Sequence, residues 1–350
     1  MKAMNISLPT GPFDWAPEIL PRAEFERRLE ITRAAMRIAG LGLLIVHGDG
    51  FDHGALSWVS GFTPKLGAAY ALIPLEGEPG LIVSGSPGMK PSALRLSWIA
   101  DMTVQRDLAD DIRKWIEGHG GLKTGLYEGQ AMAQAAYVAV LRGAGETLSD
   151  MTSVVDDLRR RKSACEIALI VQAGRSVEAA LAALEQSLPR GRRHAIIAAE
   201  RAAYAAGAQD VRVLTADRAG GAPRPLDDFD PVIMGSVPVA VAARVRGYWA
   251  SAETVLGDDK TIPAREAKAI LHALATTIDL SLTAEQSARW SLSWQGIGLS
   301  LEEAPQRNAP LRAGDVVCAR LSLKSGSSGH IAWTAILAID PKGARLLQTA

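Results

Sequence analysis

The stretch VPVAVAARVRGYWASAETV, Val237–Val255, decides the reading of this chain. It splits into two apolar-rich runs, Val237–Val245 and Tyr248–Val255, and both read as strands. In the second run Trp249, Ser251 and Glu253 share one parity, so a polar side chain and a carboxylate belong to the face that carries the tryptophan. Downstream, a helix is predicted from Pro263 to about Asp279 and another from about Ala284 to Trp290, with strands near Val316–Leu323 and Ile331–Ile339. Upstream, LRRRKSACEIALI (Leu158–Ile170) places a basic run before Ser163-x-x-Glu166. That spacing is a capping box, and it opens a long helix from Ala164 to about Leu188. A second helix runs from about Arg193 to Ala206 and stops at Gly207, and Val211–Leu214 reads as a strand before a Gly/Pro-rich loop, Gly220 to Pro231.

The first half alternates strands and helices. Residues 22–39 carry Phe25, Leu29, Thr32, Met36 and Ala39 at helical spacing, with Gly40 as the stop. Leu43–Val46, Leu56–Val59, Ala68–Ile73 and Leu81–Val83 read as strands, with a turn at Gly61–Pro64, and helices are expected around Leu108–Ile116 and Ala131–Leu141. Neither GxGxxG nor GxxxxGK[ST] occurs in this half, which removes the two common nucleotide loops. The expectation is an α/β protein of two domains, residues 1–155 and 156–350.

Composition narrows the function classes. With 350 residues, 48% of them hydrophobic, the chain can bury a sizeable core. Lys+Arg and Asp+Glu both number 38, so the net charge is zero, and a general nucleic-acid binder would carry a basic excess. The segment MKAMNISLPTGPFDWAP lacks the apolar core of a signal peptide. The longest apolar stretch, Ile38–Val46, is far short of the roughly 18 residues of a membrane span. Two cysteines, Cys165 and Cys318, cannot make a disulfide framework, so a cytoplasmic location is expected, with no membrane partner.

Taken in order, these segments resemble the creatinase, prolidase and methionine aminopeptidase superfamily, the pita-bread fold. RRLEITRAAMRIAGLGLLIV and ALSWVSGF resemble parts of a creatinase-like N-terminal domain, and LRRRKSACEIALI resembles the linker into the catalytic domain. RGYWASAETV is similar to the segment that carries two metal aspartates, GIGLSLEEAP to the one that carries a metal histidine, and LRAGDVVCARLSL and GHIAWTAIL to the two that end in metal glutamates. The resemblance implies a creatinase-like N-terminal domain, a C-terminal pita-bread (α+β) domain, and a homodimer.

It also implies which positions held the chemistry in relatives, and here the ligands are gone. The two aspartate positions fall on Ala240 and Ser251, the histidine on Gln295, and the glutamates on Arg320 and Ala332. Hard divalent ions take carboxylates and imidazole. Ser and Gln are weak neutral donors, and a guanidinium is a permanent cation that repels them. No metal and no other cofactor is expected. A loop histidine of relatives is replaced by Arg224, and a second histidine by Glu302. Creatinase itself is a metal-free member, yet it relies on a loop histidine that this chain does not keep.

Two readings stay open. In the first, the protein is a metal-independent enzyme that hydrolyses or rearranges a C–N bond in a small polar substrate. Glu302, Arg320 and His330 are then the catalytic candidates, and Trp249, Ser251, Glu253, Trp294, Gln295 and Cys318 the substrate-binding ones. Arg320 would hold a substrate carboxylate, Glu302 would move protons, and Trp249 and Trp294 would wall the site. The bland alternatives are an Arg320 ion pair with Glu253, Glu302 or Glu303, a packing role for Cys318, and tryptophans that fill vacated volume. In the second reading the protein is a non-catalytic pita-bread binder of a small ligand, peptide or protein. The runs at Arg159–Lys162 and Arg190–Arg193 read as solvated helix ends, and His53 sits in a loop that in this superfamily can reach a neighbouring subunit.

Overall fold

The computed structural model describes residues 13–119, 122–144, 148–218, 221–227, 235–257, 262–276, 280–324 and 331–349. The chain divides into two compact units, Met1–Arg159 and Arg160–Ala350.

The first unit runs α1 (Arg22–Ala39), β1 (Leu43–Asp49), α2 (Gly54–Ser60), β2 (Ala68–Pro74), β3 (Gly80–Ser84), α3 (Lys90–Ala93), β4 (Asp101–Gln105), α4 (Leu108–Gly118), β5 (Thr124–Tyr127), α5 (Gln134–Ala144) and β6 (Leu148–Asp150). The helix α6 (Thr152–Arg160) closes it. Its six strands order as β4-β3-β2-β1-β5-β6. The β1–β2 and β2–β3 pairs are antiparallel, and β3–β4, β1–β5 and β5–β6 are parallel. Leu43, Ile45, Tyr70, Leu72 and Ile82 meet Ile112, Ile116 and Val140 of α4 and α5 in one core. Leu56–Val59 is helical in α2, not a strand. Every residue of α2 is buried, and a short run buried on all sides has no period that separates helix from strand. Gly61 ends it at φ 72°, a conformation that costs a residue with a side chain.

The second unit runs α7 (Ala164–Ser187), α8 (Arg192–Ala205), β7 (Asp210–Thr215), β8 (Val237–Val245), β9 (Tyr248–Leu256), α9 (Ile262–Leu274), α10 (Ala284–Arg289), β10 (Trp290–Gly296), β11 (Val316–Leu323), β12 (Ala332–Asp340) and β13 (Gly343–Thr349). The capping box that opens α7 is formed. Ser163 Oγ accepts from the Glu166 amide, and Glu166 Oε2 accepts from the Ser163 amide. Glu166 Oε1 also accepts from Tyr248 Oη at 3.1 Å, so the cap ties the helix to β9. Among the described residues one helix, Ala164–Arg190, is long and apolar enough by composition to cross a membrane. Its Leu169, Ile170, Ala173, Val177, Ala180 and Leu184 are buried, and α7 packs on α8, β8 and β9.

Two antiparallel sheets make up this unit, β7-β8-β9 and β10-β11-β12-β13. One face of the first carries Tyr248, Ala250 and Ala252 toward α7. One face of the second carries Trp290, Val317, Ala319, Leu321, Trp333, Ala335 and Leu337 into a core with α9. Each strand alternates, so the polar residues between these positions line the opposite faces. The sheets meet along β9 and β12. There the Glu253 amide donates to Thr334 Oγ1 at 2.8 Å.

The basic runs are solvated only in part: Arg161, Arg190 and Arg193 are exposed, but the other four basic residues turn inward. Arg159, Arg160, Lys162 and Arg192 are all buried. Arg159 donates to Tyr127 Oη and Asp156 in the first unit. In the second, Arg160 binds both oxygens of Asp315 at 2.6 and 2.5 Å, and Lys162 pairs with Glu303. Arg192 donates to Thr215 Oγ1 at 2.7 Å and to the Arg224 and Pro225 carbonyls. A long cation enters a core only where fixed acceptors replace its water, and a run of basic letters does not show where those acceptors lie.

Candidate functional site

The site grows from the hairpin β8–β9. Its register sets Ala240 against Glu253, Ala242 against Ser251 and Arg244 against Trp249. These pairs lie on the face turned away from α7. In the second sheet Arg320 stands between Ser293 and Thr334, and Cys318 between Gln295 and Ile336, on the face turned away from α9. The contact of β9 with β12 joins the two polar faces.

At the junction Arg320 Nε donates to both oxygens of Glu253, at 2.9 Å each. Both side chains keep about a third of their surface open, 34% and 31%. No described residue accepts from the terminal nitrogens of Arg320. Beside this pair Ser251 Oγ and Cys318 Sγ are 3.6 Å apart. Burial pushes the Cys318 thiol up to about 11, against the smaller opposing pulls of its Ser251 and Thr334 hydrogen bonds and of Arg320, while Glu253 reinforces the rise. A thiol so placed is a packing group and a poor nucleophile at neutral pH. Gln295 Oε1 accepts from Arg307 at 3.2 Å.

Trp249 is buried, and two guanidinium groups lie over its ring, Arg212 at 4.9 Å and Arg244 at 5.1 Å from the centroid. Arg244 also pairs with Asp210 at 3.2 Å. Burial lowers the Arg244 pKa, Asp210 opposes that, and Arg212 adds to it.

Several expected members stand elsewhere. Trp294 packs with Trp290 and Trp333 against the apolar core under α9, and its indole donates to the Ala309 carbonyl at 3.0 Å. It therefore faces away from Arg320, because it pairs with Ala319, one position out of phase with Arg320 along β11. Glu302 is exposed, and no described residue pairs with it. Its neighbour Glu303 turns inward instead, to Lys162 and to the Ser300 amide. Arg224 is held by Asp217 and Asp227 at 2.7 and 2.9 Å. His330 lies outside the described residues. Strand alternation in Asp210-Val-Arg212 and Arg244 was the available signal for the two arginines that sequence reasoning passed over.

No family model matches the chain, and no curated protein does. Solved structures do match. The X-Pro aminopeptidase of Thermotoga maritima superposes with a TM-score of 0.73 at 18% identity, over 92% of this chain and 97% of that one. The Xaa-Pro dipeptidase of Bacillus anthracis gives 0.71 at 16%, over 92% and 97%. Dipeptidase PepE of Mycobacterium ulcerans gives 0.70 at 18%, over 94% and 96%. The chain has the two-domain pita-bread fold of these structures. Identities this low speak for the fold, and function has to come from the site.

The dimetal centre implied by the resemblance does not fit the residues present. Ala240 and Ala332 carry no donor, Arg320 brings a cation, and its partner Glu253 is occupied by that cation. Among the described residues no group of three His, Cys, Asp or Glu side chains is disposed to hold a metal.

Proposed function

We propose that this pita-bread protein binds a small polar molecule through a carboxylate, on Arg320, without a metal ion. One observation carries the reading. Glu253 engages Arg320 only through Nε, which fixes the plane of the guanidinium while its terminal nitrogens remain unclaimed by any described residue. A guanidinium presents its terminal nitrogens as a fork that matches a carboxylate. Cys318, Ser251 and Thr334 supply a compact polar floor beside it.

The second reading, a metal-independent C–N hydrolysis or rearrangement, is favoured by a different feature. Glu253 is a half-open carboxylate in contact with the group that would hold the substrate. In that reading Glu253 replaces the exposed Glu302 as the proton carrier. A homodimer in a cytoplasmic setting accompanies either reading.

The test is calorimetric titration of chelator-treated protein with acetate, butyrate and short X-Pro dipeptides, on wild type and Arg320→Gln. Binding that Arg320→Gln abolishes supports the carboxylate site. Equal binding by both proteins, or none by either, overturns it. Release of free amine from the dipeptides, lost in Glu253→Gln while binding persists, selects the catalytic reading.

A further inference from the structure

The polar face does not end at Arg320. Register places Arg212 opposite Ala242, and Ala242 opposite Ser251, in one row across β7, β8 and β9. The next row holds Leu214, Ala240 and Glu253. Ser251 touches Cys318 and Glu253 touches Arg320, so both rows lead from β7 to the candidate site. On β8 these rows carry only methyl groups, at Ala240 and Ala242, which leaves a low floor between the flanking long side chains. Two strand spacings of about 4.8 Å set the backbones of Arg212 and Ser251 about 10 Å apart.

Arg212 is exposed, and among the described residues no carboxylate lies within ion-pair distance of it. The nearby acid, Asp210, is taken by Arg244. Arg212 is held against Trp249 by its ring instead. Stacking fixes the plane of a guanidinium and leaves its edge free to donate. Besides Arg244, which Asp210 holds, the face thus carries two oriented guanidinium groups, Arg320 and Arg212, with Ala240 and Ala242 on the strand between β7 and β9.

Resting on the proposed carboxylate site, we infer that its ligand is a dianion, a small dicarboxylate class of molecule, with one carboxylate on Arg320 and the other on Arg212 over the Ala240–Ala242 floor. A monoanion leaves Arg212 unused. A second charged contact is worth about ten- to a hundredfold in affinity, from the usual strength of hydrogen bonds to charged groups.

The experiment is calorimetric titration of the full chain with butyrate, succinate, glutarate and adipate, on wild type, Arg212→Gln and Arg320→Gln. Arg212 is exposed, so its replacement leaves the fold intact, and a thermal melt verifies this. The inference expects at least one dicarboxylate to bind wild type tenfold or more tighter than butyrate. Arg212→Gln removes that gain and leaves butyrate affinity unchanged, while Arg320→Gln removes both. If butyrate binds through Arg320 but no dicarboxylate gains more than twofold, or the gain survives in Arg212→Gln, the dianion inference fails and the carboxylate site stands. If no carboxylate binds at all, the Arg320 reading fails and the inference with it.

Discussion

Replacing Lys162 by Met tests how the segment beside the candidate site is held. Lys162 Nζ pairs with Glu303, and the two side chains are only 2% and 6% exposed. Glu303 also accepts from the Ser300 amide at 3.3 Å, and its own amide donates to the Gly296 carbonyl, one residue from Gln295. The ion pair therefore pins the turn that follows β10. Removing one partner of a buried pair costs about 3–5 kcal/mol, because the other charge stays buried without compensation. The Ser300 amide donates to the same carboxylate in a long, charge-assisted bond that offsets about 1–2 kcal/mol of that. Urea unfolding followed by tryptophan fluorescence, on wild type, Lys162→Met, Glu303→Gln and the double variant, reads this directly. The double variant should recover at least 1 kcal/mol relative to the sum of the singles. A loss below about 1 kcal/mol in Lys162→Met, or strict additivity in the cycle, refutes the reasoning.

Three further outcomes are expected. Gly298→Ala should destabilise to a similar degree, since a Cβ there would meet Lys162 Cε at 2.8 Å and collide with the Glu303 carboxylate; an unchanged urea midpoint would contradict this. Cys318 should resist iodoacetamide at pH 8 in the native protein while the less buried Cys165 reacts first, as read by peptide mapping. Because the folded Cys318 pKa is raised, its neutral thiol contributes stability that is complete below about pH 9 and is lost as pH rises toward about 11; Cys318→Ala should remove that part of the pH dependence, about 2–3 kcal/mol from a shift of two units. Finally, manganese, cobalt or zinc should leave the melting temperature within about a degree, with or without chelator. A resident ion at a hundred times its Kd would add about 2.7 kcal/mol and move it by several degrees.

Most of the elements of this protein, though not the buried helix α2, are legible in the sequence alone. Capping at Ser163 and Glu166, alternation in Val237–Val255 and the helical period of residues 22–39 are local properties of backbone and side chain, and local properties are written in order along the chain. The placing of Ser251, Gln295 and Arg320 at former ligand positions is of another kind, since it rests on the resemblance to the superfamily alone. Which carboxylate meets Arg320 was not local. Glu253 and Glu302 are comparable as letters, and only the contact of β9 with β12 selects the first. Trp294 went astray for the same reason: its parity in β10 acquires a meaning once it pairs with Ala319, and the pairing sends the ring into the apolar core. The buried basic residues make the point in energetic terms. Arg160, Lys162 and Arg192 read as solvated charge because their acceptors, Asp315, Glu303 and Thr215, lie 155, 141 and 23 residues away. Desolvating a guanidinium or ammonium is tolerated only at the place where folding has already gathered those acceptors, and that place exists in the tertiary structure alone.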